Sequence, residues 1–475
     1  MTFTIPLFVG FGLIAALVLR QMPTRAAFLV AANLINLGFV WLFFGPFALA
    51  ILLGIAALGL TLVRLGEVYG PRAIGPSLAL IVILFVVIKQ YPFVPRLDSL
   101  TSMGAVAGVS YIVFRLIHLV IDAAEKAAPR INSIEFLNFN LSFLTLLSGP
   151  ITRHQDMEDW RAVETVRMHD LLRVAWGLLK VAALSPPIFA LHQLLLDKGA
   201  AVSAAGKSDT STLLQIDGGT LFAGAAWFVY LYFNFSGYMD IVIGLGRIAG
   251  VELPENFNRP FRANSFLQFW NRWHMTLSFW FRTYVFSPMF KMLYHRIPGW
   301  RAWHSHISLF LTFLLVGAWH GTTWSFPVCG LILGIGAVVN ESYPKMMSHL
   351  IGKQPLKKIN GHFAYQCVCF GLTFAFFSFA FIPFWMPEHS YFSFLHHFAH
   401  PAGPVVFIAL WAGAMIYICA FRLAESVIVP VTQRLIDGVG AERVHAALLP
   451  VVANAILLAA LLNYGQVQTF VYQTY

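Results

Sequence analysis

The sequence predicts an all-α, polytopic transmembrane helical bundle, and three observations predict it. Hydrophobic residues make up 58% of the 475-residue chain and charged residues only 11%, where a soluble domain carries roughly 25% charged residues. Such a chain cannot cover a water-facing surface. Apolar stretches of the ~20 residues needed to cross ~30 Å of hydrocarbon recur from end to end. Aromatic residues reach 15%, including 44 Phe, which suits a lipid-facing wall with interfacial belts. Length alone allows two or three soluble domains, but the mean hydropathy of +0.72 is spread throughout. A single integral-membrane domain over residues 1–475 is therefore expected.

The first apolar stretch, Phe3 to Leu19, has no basic run ahead of it and is followed by Arg20 and Arg25. It reads as a retained first span. Ala26 to Val63 carries no charge and is long enough for two helices, with Gly45-Pro46 as the natural break. Further spans are expected at Ser77–Val94, Met103–Ile121, Leu171–Leu195, Gly219–Ile243, Ile307–Trp319, Trp324–Val339, Tyr365–Met386, Val405–Phe421 and Ala446–Leu462. The total is about ten to thirteen, plus re-entrant or interfacial helices, around a central tunnel. Between Trp319 and Trp324 the chain breaks two half-length segments, a shape that often marks a helix end at a cavity.

Basic residues are unevenly spread. From Arg247 to Arg301 lie Arg247, Arg259, Arg262, Arg272, Arg282, Lys291, Arg296 and Arg301, against only Glu252 and Glu255. The stretch Arg153–Arg173 is also basic. Both are expected on the cytoplasmic side, and the loops around Lys198–Asp217 and Pro387–Pro401 outside. The net charge of +10 is accounted for by this topology signal, by a basic mouth that attracts an anionic donor, or by both.

Ser265–Phe290 holds too many charges for a comfortable span. At helical spacing Asn271, His274 and Ser278 share one face, with Arg282 continuing it. Trp270, Trp273, Leu277 and Phe281 form the adjoining stripe. Either a re-entrant helix facing a water-filled cavity or an amphipathic helix on the inner leaflet fits. A second histidine in apolar sequence, His320, favours a shared cavity, because an ionisable group at bilayer depth costs about 2.5–3.5 kcal/mol or more unless it meets a partner or water.

Asp240 lies inside an apolar span and needs a cation; Arg247, Arg272 and His274 are the available partners. Bracing the cavity or orienting a histidine suits it better than direct chemistry, and Tyr238 and Ser236 add hydroxyls nearby. Arg153 is a candidate contact for donor phosphate, or a snorkelling residue at a helix end. The four cysteines, Cys329, Cys367, Cys369 and Cys419, fall in predicted spans without a zinc spacing and read as inert thiols. The loop histidines His389, His396, His397 and His400 lack the carboxylates of a metal site, so no metal is expected. There is no Walker motif, and Gly244-x-Gly246 is not a dinucleotide fingerprint; no nucleic acid partner is indicated.

Several segments carry a resemblance. Trp270-Asn271-Arg272-Trp273-His274, followed by Trp319-His320-Gly321-Thr322-Thr323-Trp324, resembles the signature of the membrane-bound O-acyltransferase superfamily. Asn234-Phe235-Ser236-Gly237-Tyr238-Met239-Asp240 and Leu253-Pro254-Glu255-Asn256-Phe257-Asn258-Arg259-Pro260-Phe261 resemble its bacterial alginate O-acetyltransferase branch. Leu147-Ser148-Gly149-Pro150-Ile151-Thr152-Arg153 and Asn271 to Arg282 read equally like the branch that moves D-alanyl groups onto teichoic acids. The similarity covers about residues 135–340.

The resemblance implies acyl transfer to a hydroxyl inside a membrane-embedded tunnel, from an acyl thioester (acetyl-coenzyme A or an acyl-carrier protein) with no bound cofactor. His320 is then the catalytic residue, and His274, with Asn271, positions the acyl carbonyl or its oxyanion. Arg272, Trp273, Trp319, Asp240, Tyr238 and Ser278 are expected to support the site, and Arg153 and Arg282 to contact the donor. A general base is needed because a hydroxyl's pKa lies far above 7, and such help gives about 10²–10⁴-fold. The implied acceptor is an exported polysaccharide or surface polymer, reached directly or through a periplasmic or extracellular partner acyltransferase, from the cytoplasmic membrane. A transporter or flippase is the alternative class, since broken helices and intramembrane ionisable groups also mark transporters, but the half-repeats it predicts are not found.

Overall fold

The computed structural model describes residues 4–95, 108–157, 163, 165–204, 210–399, 402–440 and scattered positions between 443 and 454. Most of the expected span at 446–462 and the start of the one at 103–121 lie outside the described residues. The protein is all-α: no strand occurs among the described residues. Six helical stretches are long and apolar enough to cross a membrane, namely Arg25–Ile88, Met168–Asp197, Gly218–Ala249, Ser325–Ile351, Phe363–Ala380 and Gly403–Leu423. Contacts divide the chain into two compact units, one of residues 1–180, 235–255 and 445–475 and the other of 181–234 and 256–444.

The first unit contains α1 (Ile5–Arg20), α2 (Arg25–Tyr69), α3 (Ile74–Ile88), α4 (Val109–Ala124), α5 (Ser133–Leu141) and α6 (Met168–Leu179). Helix α2 is two helices in sequence, because Gly45 leaves helical geometry at the expected Gly45-Pro46 break. Thr24 caps its start by accepting from the Ala27 N–H. The rings of Phe8, Phe11, Phe39, Phe43 and Phe143 pack with centroids 4.9–6.1 Å apart. Beneath them Arg115 is 1% exposed, and its guanidinium donates to the carbonyls of Phe139, Asn140 and Thr145. A charge that deep is tolerated because its guanidinium is hydrogen-bonded, here to three backbone carbonyl oxygens. The turn that leads into Leu147–Arg153 is thereby fixed.

The C-terminal part of α8 (Thr210–Ala249) crosses α6 at close range. A Cβ on Gly177 would stand 2.5 Å from the Gly237 carbonyl, so only glycine permits the approach. Charged groups at this crossing are paired. Asp240 accepts from Arg173 at 3.2 Å and from Lys180 at 2.6 Å. Arg173 also bonds Glu255, and Arg247 bonds Asp170. This corrects the expected partners of Asp240: Arg247 is engaged elsewhere, and neither Arg272 nor His274 is involved. The reason is register: Arg173 and Lys180 stand seven residues apart on one face of the span that α6 begins.

In the second unit α7 (Ser185–Ala204) follows a π-helical turn at Lys180–Leu184, and the short helices α9 (Phe266–Trp270) and α10 (Met275–Phe281) lead through another π turn, Arg282–Phe286, to α11 (Ser287–Arg296). Then come α12 (His304–His320), α13 (Ser325–Ile351), α14 (Lys353–Gly361), α15 (Phe363–Ala380), α16 (Glu388–Phe398) and α17 (Ala402–Val439). Helices α12 and α13 form a tight antiparallel hairpin. A Cβ on Gly317 would come within 2.4 Å of the Gly330 backbone, so the two helices touch backbone to backbone. At the hairpin tip the extended Gly321 lies where any Cβ would overlap the Phe326 ring at 2.0 Å. The glycine after His320 is thus a packing requirement of the turn.

An aromatic cluster holds the short helices. Phe228 meets Phe261, Phe269, Trp273, Phe374 and Phe381 with centroids 5.2–5.7 Å apart, and Phe269 stacks on Phe377 at 3.9 Å. Trp270, Trp273, Leu277 and Phe281 are all buried. The stripe expected beside the polar face therefore packs against protein.

Candidate active site

The site is built on the segment 256–282. Helix α9 ends at Trp270 and α10 starts at Met275, so residues 271–274 form a turn. His274 occupies the position before α10 with φ 42° and ψ 54°, a left-handed conformation that costs a side-chain-bearing residue about 1–2 kcal/mol. The expectation that Asn271, His274 and Ser278 share one helical face is therefore corrected. The break turns His274 inward, to 1% exposure, while Asn271, Ser278 and Arg282 remain together on another side.

Asn256, wholly buried, determines how His274 is held. Its Oδ1 accepts from the Thr276 N–H at 3.1 Å and the Thr276 hydroxyl at 2.9 Å, and its backbone carbonyl accepts from the Met275 N–H. A backbone N–H can only donate, so the amide orientation is fixed. His274 Nδ1, 3.1 Å from the same Oδ1, must then donate. In the neutral ring this leaves Nε2 as an acceptor. Burial, and secondarily the charge His320 can carry, push the His274 pKa well below the ordinary histidine value. Neutral His274 is the resident form.

His320 closes α12, 8% exposed, its ring 4.6 Å from Trp319 and 4.8 Å from Phe384. The two imidazoles are near enough to interact electrostatically. A cavity of about 240 Å³ runs beside α12, lined by Leu309, Thr312, Phe313 and Val316 on that helix and by Asn271, Ser278 and Arg282 opposite. It reaches Val316, one helical turn or about 6 Å short of His320. Neither imidazole is on its wall, which corrects the expectation that His274 and His320 share this cavity: the turn at 271–274 packs His274 into protein instead. Arg282 is the only charged group on its wall among the described residues, and it donates to Asn271 Oδ1 at 2.5 Å. Asn271 is thereby left with its amide N–H₂ to offer.

The remaining expected residues are placed as follows. Trp273 stacks on Phe269 at 5.3 Å and meets Phe257 edge to face at 5.1 Å, fixing the turn. Arg272 reaches the Asn258 carbonyl at 3.2 Å. Trp319 lies against His320. Asp240, Tyr238 and Arg153 belong to the first unit, where Tyr238 packs against Phe8 at 5.7 Å and Arg153 lies near enough to His118 to affect its charge. None of these three lines the cavity. Asn256 and Thr276 were missed by sequence reasoning; their signal was a polar residue inside a motif and another two residues after the histidine. Among the described residues no group of three or more His, Cys, Asp or Glu side chains is placed to hold a metal; His400 and the side chain of His397 lie outside them.

The profile of the family described as MBOAT, membrane-bound O-acyltransferase, matches residues 77–381. The chain belongs to that family. Against the teichoic acid D-alanyltransferase of Streptococcus thermophilus this family member is 29% identical over 276 residues, 56% of this chain and 63% of that protein. Against the corresponding protein of Bacillus subtilis it is 33% identical, over 47% and 56% of the two chains. Against the probable alginate O-acetylase AlgI of Azotobacter vinelandii it is 34% identical, over 47% and 42%. The matched region thus covers between 42% and 63% of these relatives' lengths. As a membrane-bound O-acyltransferase family member with several membrane-length apolar helices, the chain is a multi-pass membrane protein.

The state of His274 has a measurable consequence. Its folded pKa lies below the unfolded value of about 6.5, so its neutral form stabilises the fold fully above that pH. The contribution is lost as pH falls from there toward the folded value, because the unfolded chain binds the proton first. The thermal midpoint of the purified protein should drop between about pH 7.5 and about pH 5.5, and the drop should be smaller in His274→Gln. An equal drop in the two proteins would show that His274 is not held neutral.

Proposed function

We propose that this chain is an O-acyltransferase in which His320 is the general base, moving an acetyl group from a soluble thioester toward an exported or cell-surface polysaccharide. The observation that carries the reading is a pair of buried, electrostatically interacting imidazoles, one of which, His320, stands one helical turn beyond a cavity whose wall offers Arg282, Ser278 and Asn271. The hydroxyl oxygen of the acceptor attacks the thioester carbonyl carbon while His320 takes its proton. The carbonyl π electrons move onto oxygen, where the Asn271 amide, Ser278 hydroxyl or Arg282 guanidinium can stabilise the charge. Collapse breaks the C–S bond, and the protonated His320 returns its proton to the departing thiolate. Ester and free thiol result. His274, whose Nε2 accepts in the neutral tautomer, suits holding an X–H group, the acceptor hydroxyl or the His320 ring N–H, better than stabilising an oxyanion. It acts as a positioning residue.

A second reading, D-alanyl transfer to teichoic acid or another surface polymer, is favoured by the 276-residue match to a teichoic acid D-alanyltransferase. Membranes supplied separately with radiolabelled acetyl-coenzyme A and with a D-alanyl carrier-protein thioester distinguish the two. In either case a periplasmic or extracellular partner acyltransferase can take the group onward, and the enzyme resides in the cytoplasmic membrane.

His320→Ala and His320→Gln should abolish acyl transfer while leaving expression and the elution of detergent-solubilised protein unchanged. Loss of a base costs about 10²-fold or more. Turnover above about a tenth of wild type would contradict the assignment.

The reading also fixes sidedness. The basic region Arg247–Arg301 should be cytoplasmic, so that a soluble anionic thioester approaches from that side and the attraction weakens with salt. Arg259 and Arg296 are both exposed. Arg259→Cys and Arg296→Cys should resist a membrane-impermeant thiol reagent on intact cells and react after permeabilisation. Labelling of both from outside would invert the topology.

A further inference from the structure

Helix α14 stands between two membrane-length helices, α13 and α15, separated from them by single residues, Gly352 and His362. Gly352, at φ 84° and ψ 158°, turns the chain out of the α13 axis. The side chains of α14 are cleanly sorted at 100° per residue. Lys353, Gln354, Lys357 and Lys358 fall within one 140° arc, and Pro355, Leu356 and Ile359 within another of 100°. Leu356 is buried, so this face rests on the protein, while Ile359 remains 39% exposed. On either side Leu350 and Phe363 are 67% and 45% exposed. Apolar groups uncovered by protein thus flank and underlie a lysine-bearing ridge.

The charge is equally one-sided. Residues 342–387 contain four lysines and no acidic residue. Lys345 is paired with Glu341, but Lys353, Lys357 and Lys358 are exposed and make no ion pair among the described residues. Hydrogen bonds from Ser305 to Glu341 and between His306 and Ser342 tie this end of α13 to the start of α12. Helix α14 therefore continues from the end of the α12–α13 hairpin opposite His320.

We infer that α14 lies in the plane of the membrane surface and that Lys353, Lys357 and Lys358 bind the phosphate headgroups of anionic phospholipids. A helix sorted in this way sinks its apolar face to the acyl boundary and leaves its cations at headgroup level. Each lysine near an anionic surface adds attraction worth about fivefold in affinity at physiological salt. The site is separate from the acyl-transfer cavity and does not depend on the acyl group carried.

The full-length protein in detergent is titrated with phosphatidylglycerol and, separately, phosphatidylcholine, and bound lipid is counted by native mass spectrometry. Wild type should retain phosphatidylglycerol at least tenfold more tightly, with the preference falling as salt rises. Lys353→Gln/Lys357→Gln/Lys358→Gln should lose at least tenfold of that preference, with an unchanged melting midpoint in phosphatidylcholine. Lys345→Gln, whose lysine is already paired, should keep it. Should the triple variant fail to fold, the single variant Lys357→Glu must still lower the preference by several-fold. Equal retention of the two lipids by wild type, or a preference that survives the substitutions, overturns the inference. So does a wild type indifferent to lipid whose triple variant instead binds acetyl-coenzyme A more weakly, since the lysines would then serve a soluble anion.

Discussion

The Asn256 side chain holds together the turn that carries His274. One amide oxygen gathers the Thr276 N–H, the Thr276 hydroxyl and His274 Nδ1. Those donors fix the start of α10, and with it the left-handed His274 that no helix would tolerate. Such a backbone state persists only where its surroundings over-determine it. Here they do so twice, through the hydrogen bonds of Asn256 and through the aromatic stack that locks Trp273. The result is an imidazole with a single tautomer, kept neutral by burial, beside a second imidazole at the end of α12.

The same constraint operates elsewhere in the chain. Polar groups inside an apolar protein must find partners, since each one left unpaired costs about 1–3 kcal/mol and a charge costs more. Arg115 spends its donors on three backbone carbonyls, and Asp240 meets two cations. These arrangements shape their own unit and need no catalytic role. Arg282 differs in facing a cavity. Its guanidinium is satisfied in part by Asn271 and keeps donors available, which is the condition expected of a group that meets an incoming anion.

Much of the fold was legible because lipid imposes a simple code. Uninterrupted apolar runs gave the helices, and Gly45-Pro46 and Trp319–Trp324 gave breaks where the structure has them. In the candidate site, individual residues could be singled out from the sequence more readily than their arrangement. His274 and His320 stood out as ionisable groups in apolar sequence, and Asn271, Ser278 and Arg282 do share a cavity. Helical periodicity failed at residues 271–274, because a turn held by a distant asparagine overrides local spacing. Asp240 was recognised as needing a cation, but the choice among cations depends on helix register. Arg173 and Lys180, one heptad apart, carried that signal without being weighed.

On the proposed function, Asn256 acts on acyl transfer through His274. A double-mutant cycle on kcat/KM for acyl transfer tests it most directly, with Asn256→Ala, His274→Gln and the double variant compared in one membrane preparation. If the amide serves to orient the imidazole, Asn256→Ala lowers kcat/KM, and adding it to His274→Gln costs nothing more, because the group it positions is already gone. Losses that multiply in the double variant would show two independent contributions and contradict the account.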